Sequence, residues 1–127
     1  MANFLINLVL SQYHYEVGYT AVLNIRDKKM IRHILLIKFK ESSPASEIEK
    51  LKGMFELIPE KIEGVESVEW GENDSPEGKN KGYTHSVLMT FSDEVGRQNY
   101  LPHVEHDTLK QVLRPLLEDI IVFDYTC

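Results

Sequence analysis

The chain has 127 residues, 43% of them hydrophobic and 27% charged, a size and balance that fit one compact domain. Its 14 Lys and Arg against 20 Asp and Glu leave a net charge of −6, which argues against a general nucleic-acid binder and against anionic membrane surfaces, since both need clustered positive charge. The single cysteine, Cys127, rules out an intrachain disulfide framework and a multi-thiolate metal site, and makes a reducing cytoplasm the expected compartment.

At the front of the chain, no apolar run approaches the roughly 18 to 20 residues of a membrane span, and Phe4 to Leu10 is interrupted by Asn7. Met1-Ala2-Asn3 lacks the positive start of a secretory signal. Residues 1–29 are more basic than the rest, Arg26, Lys28 and Lys29 outnumbering Glu16 and Asp27. They read either as an extra strand or arm covering an edge, or as an upstream stretch translated from a too-early start, and the second reading is preferred. The domain proper is expected over residues 30–127.

Ile31 to Phe39 is rich in large and β-branched apolar residues on both alternate sets, the pattern of a strand buried on both faces. Helix-start chemistry follows at Ser42, Ser43, Pro44 and Ser46, with Ser46 and Glu49 at capping-box spacing and Pro44 suited to a first turn. Ile48, Leu51, Phe55, Ile58 and Ile62 then recur at steps of three and four against charged Glu47, Lys50, Lys52 and Glu56. That spacing predicts an amphipathic helix lying on a sheet and kinked at Pro59. Gly64 ends it, Val65 to Trp70 reads as a second strand, and Gly71 to Gly82 as a polar, mobile loop.

Tyr83 to Phe91 is a third strand, with His85, Val87, Met89 and Phe91 on one face and Thr84, Ser86, Leu88 and Thr90 on the other. A helical region from Ser92 or Asp93 breaks near Pro102 and resumes through Leu109, Val112, Leu113 and Leu116, and Ile120 to Tyr125 closes as a fourth strand. The order is β-α-β-β-α-β, the ferredoxin-like arrangement of the α+β class: a four-stranded antiparallel sheet with its helices on one face. Alternate residues of the first, third and fourth strands make the other sheet face apolar too. Such a face is rarely left in water, so a homodimer meeting sheet to sheet is expected.

Several stretches, in order, carry a family likeness: Ile31 to Lys40, Trp70-Gly71, Lys81-Gly82-Tyr83-Thr84-His85, Tyr100-Leu101-Pro102-His103-Val104-Glu105-His106 and Phe123-Asp124-Tyr125. Across residues 30–127 the chain resembles the Dabb proteins, the stress-responsive dimeric α/β-barrel domain family. The resemblance implies a homodimer whose two sheets form one α/β barrel, with a ligand cavity in each subunit. In the family's plant polyketide-cyclase branch, which works without a cofactor, the pocket uses a strand-one histidine, a strand-three histidine, and a tyrosine and histidine of a YxxHPxH motif. Here these fall on His33, His85, Tyr100 and His106, with His103 as the motif's first histidine. Two positions depart from that branch: Phe55 replaces a tyrosine of the first helix, and Val104 replaces the motif's proline.

His33 alternates with Leu35 and Ile37, and His85 with Val87 and Met89, so each imidazole projects from an apolar strand face. A buried imidazole tends toward its neutral form and keeps one nitrogen as an acceptor, as a general base requires. The plainer reading of each is a core histidine bonded to a backbone carbonyl. His103, His106 and Asp107 have metal-ligand residue types at helical spacing, but no HExxH, second close pair or thiolate accompanies them, and no metal is expected. Trp70, Phe39, Phe55 and Phe91 are expected as core or contact aromatics, and Asp124 and Tyr125 as supports of the closing strand or a dimer seam.

Three functions stay open. The first is binding of a small, largely apolar, carbonyl-bearing molecule by His33, His85, Tyr100, His103 and His106. The second is cofactor-free cyclase or lyase chemistry, with His106 as base and Tyr100 or His85 donating to a developing enolate or oxyanion. The third is a structural, stress-protective oligomer.

Overall fold

A computed structural model describes residues 29–127; residues 1–28, and with them both readings of the N-terminal extension, lie outside the described residues. Four strands, β1 (Ile31–Phe39), β2 (Val65–Glu72), β3 (His85–Phe91) and β4 (Leu117–Thr126), form one antiparallel sheet in the order β2-β3-β1-β4. β1 and β3 take the inner places. That suits their composition, because an inner strand has no edge to expose and tolerates apolar residues on both faces.

Register fixes which residues share a face. Leu35 lies opposite Val87 on β3 and Val122 on β4, so the odd-numbered positions of β1 and β3 and the even-numbered positions of β4 point the same way. Ile31, Leu35, Ile37, Val87, Met89 and Phe91 are buried there against Leu51, Phe55 and Ile58 of helix α1 (Ala45–Lys61) and Leu109 and Leu113 of helix α3 (Val104–Leu113). The outer face carries Ile34, Leu36, Leu88, Ile121, Phe123 and Tyr125.

The α+β class, the element order and the helices on one face are as the sequence predicts. The expected α/β barrel is not: β2 and β4 stand at opposite edges of an open sheet. Closure requires hydrogen bonding from last strand back to first, and about eight strands are needed to surround a side-chain-filled interior.

The helices begin differently from their sequence signals. Pro44 occupies the N-cap of α1 and no side chain caps it; Glu47 and Ile48 donate their backbone N–H to the Pro44 carbonyl, at 3.1 and 3.2 Å. Ser46 and Glu49 therefore lie inside the helix rather than forming a capping box. Ser43 turns away to donate to the Leu116 carbonyl at 2.9 Å. Pro59 sits within α1, which continues to Lys61.

The second helical region is two helices, α2 (Glu94–Tyr100) and α3, separated by Leu101-Pro102-His103 and followed by a 3₁₀ turn at Arg114–Leu116. Asp93 caps α2 by accepting from the Gly96 N–H at 2.9 Å, and His103 caps α3 by accepting from the Glu105 N–H at 3.0 Å. No helix among the described residues is long and apolar enough to cross a membrane.

Candidate functional site

Between the helix-facing side of β1 and β4 and helices α1 and α3 lies a cavity of about 340 Å³. Small-molecule sites span roughly 300 to 1,000 Å³, so this is a compact one. Its walls are mostly apolar, with Leu35, Phe55, Leu109 and Leu113 among them; two imidazoles and a phenol gather on it, His33 from β1, Tyr100 from the last turn of α2 and His106 from the first turn of α3, and Lys110 and Arg114 also line it.

The break at Pro102 is what lets Tyr100 and His106 converge. Their rings stack with centroids 4.1 Å apart, and the Tyr100 ring meets His33 edge-on at 5.9 Å. His106 Nδ1 lies 2.9 Å from the Leu101 carbonyl oxygen, and since a carbonyl only accepts, Nδ1 carries the proton. A neutral His106 then has Nε2 as a free acceptor. Burial pulls this imidazole below its ordinary value of 6.5, with Lys110 and His33 acting in the same direction and the Leu101 bond and Asp107 opposing. The neutral base is therefore the form present at pH 7. Burial pushes the Tyr100 phenol well above its ordinary value, so its hydroxyl stays a donor. Tyr100 is only 1% exposed and lines the cavity, and among the described residues its side chain makes no hydrogen bond, which leaves the hydroxyl available to a ligand there.

His33 is held from behind. Its Nδ1 donates to Asp124 Oδ1 at 2.6 Å, and Arg97 Nη1 donates to Asp124 Oδ2 at 3.3 Å while also pairing with Glu94. Asp124 faces His33 across the β1–β4 ladder, so sheet register creates the dyad. Asp124 and Arg97 were not legible as site residues; the available signal was a carboxylate directly after the apolar run Ile120 to Phe123 of β4.

His85 and His103 stand elsewhere. His85 is paired with Ile37, four residues along β1 from His33 and hence about 13 Å away. It packs on Phe39 and Trp70 at 5.0 and 5.4 Å, with Thr84 Oγ1 2.7 Å from its Nδ1 and Glu72 3.6 Å from its Nε2. It lines a second, more open hollow of about 510 Å³ under the β2–β3 loop. His103 Nδ1 is occupied as a helix cap. Among the described residues no group of three His, Cys, Asp or Glu side chains is placed to hold a metal ion. Trp70 packs with Phe39 and Phe55, as an anchoring aromatic would.

An open ferredoxin-like sheet with an imidazole- and phenol-lined cavity under its helices defines the class. Residues 31–127 match the model of the Stress responsive A/B Barrel Domain, and the chain belongs to that Dabb family. It is 29% identical over 96 residues, 76% of this chain and 95% of the relative, to olivetolic acid cyclase of Cannabis sativa. Among solved structures it is similar to At3g17210 of Arabidopsis thaliana, with 28% identity, a TM-score of 0.71 and coverage of 75% of this chain and 92% of that one. A dimeric ferredoxin-like protein of unknown function from Thermobifida fusca shares the fold, at 20% identity and a TM-score of 0.69 over 80% of this chain and 93% of that one.

Proposed function

We propose that this chain binds a small, largely apolar carbonyl compound in the cavity beneath α3, its oxygen held among Tyr100, His33 and His106. The observation that carries the reading is the His106 ring: its proton is fixed on Nδ1 by the Leu101 carbonyl, its free Nε2 shares a mostly apolar cavity with the Tyr100 hydroxyl, and burial keeps it neutral. Isothermal titration with a diverse carbonyl library tests it. A micromolar-range ligand whose affinity falls about tenfold or more in His106→Ala is the expected result, because a hydrogen bond in a desolvated site is lost. Failure of every compound, or hits indifferent to His106→Ala, sinks it.

The same geometry favours a second reading, cofactor-free cyclisation or lyase chemistry. Nε2 of His106 would take a proton from the carbon next to the carbonyl, while the Tyr100 hydroxyl donates to the oxygen as charge gathers there. The likeness to olivetolic acid cyclase supports this reading. Turnover of a linear β-polyketone, abolished by His106→Ala, is its test, and ligands that bind without product decide for binding alone.

A second copy of the chain covers the outer sheet face in this proposal. The support is the exposure of Leu36, Ile121, Phe123 and Tyr125 on it, together with the dimeric state of the Thermobifida fusca protein.

A further inference from the structure

The end of the cavity away from Tyr100 carries a second chemical feature. Lys110 and Arg114 both line it, and among the described residues no aspartate or glutamate does, in a chain whose net charge is −6. Arg114 keeps helical backbone angles at the C-cap of α3, so His106, Lys110 and Arg114 follow one another at four-residue steps along one helix face. At about 1.5 Å of rise per residue, successive members are about 6 Å apart along the axis.

Arg114 differs from the other described arginines. Arg32 donates to Thr90 and Arg97 is bound to Glu94 and Asp124, whereas Arg114 is exposed and its side chain has no ion pair or hydrogen bond among the described residues. Lys110 pairs with Asp107 at 3.0 Å, a carboxylate outside the cavity wall. Cations in a last helical turn suit the helix dipole. That accounts for their position along the helix, but not for both lining the cavity while every acid stays out of it.

We infer that the ligand of this cavity carries an anionic terminus, a carboxylate or a phosphate, on an apolar chain, seated at Arg114 and Lys110 with its other end against Tyr100 and His106. A guanidinium fork donates two parallel hydrogen bonds to either oxyanion, and Lys110 adds a point charge between the fork and the imidazole. The apolar wall between the two ends suits an acyl chain about 12 Å long. The inference rests on this cavity being the ligand site proposed above.

Titration of the full chain with decanoate, decyl phosphate, decanol and methyl decanoate tests it, because the four share a chain and differ in head-group charge. At least one of the two anions is expected to bind about tenfold more tightly than decanol and methyl decanoate, with the advantage shrinking as salt is raised. Whichever anion binds more tightly identifies the head group. Arg114→Gln is expected to weaken that anion about two- to fivefold, and Arg114→Gln with Lys110→Gln about tenfold, leaving decanol unchanged. Arg114 is exposed and Lys110 half-buried, and unchanged thermal melts verify that the fold is retained. Neutral probes binding as tightly as both anions, or anion affinity indifferent to both substitutions, overturn the inference while the cavity stands as a ligand site. No binding by any of the four overturns it as well, and if the carbonyl library also fails, the function proposed for the cavity falls with it.

Discussion

The Asp124 carboxylate accepts from two donors on different elements, His33 on β1 and Arg97 on α2, and so ties the cavity's rear wall together. Asp124→Ala would leave the His33 Nδ1–H, in a residue only 7% exposed, without its acceptor. The expected cost is about 1 to 3 kcal/mol in urea unfolding. A double-mutant cycle with His33→Ala should return a coupling of about 0.5 kcal/mol or more, and simple additivity would mean the dyad holds nothing. Asp124 could not be assigned this part from sequence, because its partner is set by the pairing of β1 with β4 and lies 91 residues away in the chain. His106 makes a pH-dependent prediction. Its folded-state value lies below 6.5, so between the two values the unfolded chain binds more protons than the folded one. Its share of stability is therefore full above pH 6.5 and is lost as pH falls through the lowered value. The melting temperature should drop from pH 7.5 to pH 5 by more in the wild type than in His106→Asn, and parallel curves would refute the shift.

At the scale of elements, the turn before β2 and the helix α2 approach more closely than any side chain allows. A Cβ on Gly96 would stand 2.6 Å from the Gly64 carbonyl oxygen, and Gly64 itself has a φ of +92°, where other residues are strained. Gly96→Ala is expected to cost about 1 to 3 kcal/mol by overpacking, and Gly64→Ala more, since backbone strain is added to the clash. Thermal or urea unfolding measures both, and a neutral Gly96→Ala would mean that α2 slides freely. Because α2 presents Tyr100 and Arg97, the same substitutions should weaken ligand binding. The strands were legible, β3 from its alternation and β1 from apolar residues on both alternate sets, although β4 begins at Leu117 rather than at Ile120, and the break at Pro102 was legible too. The start of α1 was not: Ser46 and Glu49 have the right spacing, but Pro44, two residues earlier, already ends the extended chain with its carbonyl free to receive the first helical N–H groups. His85 shows a different limit. Its parity placed it correctly on the helix-facing side with His33, yet its separation from His33 depends on the Ile37–His85 register, which no local pattern reveals. His103 is expected as a ligand residue from its motif, and its Nδ1 caps the first turn of α3, a use that only the backbone geometry after Pro102 reveals.

At the scale of the whole domain, the decisive feature is that, among the described residues, one layer of helices covers only one side of the sheet. The uncovered side is not a polar surface: Phe123 is 60% exposed, Tyr125 46% and Ile121 40%, beside Leu36 and Leu88 of the inner strands. Apolar area of this kind is removed from water at about 25 cal/mol per Å², and since burying it stabilises an assembly in the same way as a core, a second copy is the simplest cover for a self-complementary face. The prediction is a dimer at micromolar concentration by sedimentation velocity. Phe123→Asp should shift it to monomer, because a carboxylate would have to be desolvated where an aromatic ring is buried. Phe123 projects away from the helix side of the sheet, where the cavity lies, so the monomer should keep its circular dichroism spectrum and lose thermal stability only in a concentration-dependent way. A monomeric wild type would leave this face for a different partner, and an unfolded Phe123→Asp would mean that the outer face belongs to the fold of each chain rather than to its assembly. The less drastic Ile121→Ser separates these outcomes, since it trims apolar contact area without burying a charge and should weaken association while each subunit stays folded.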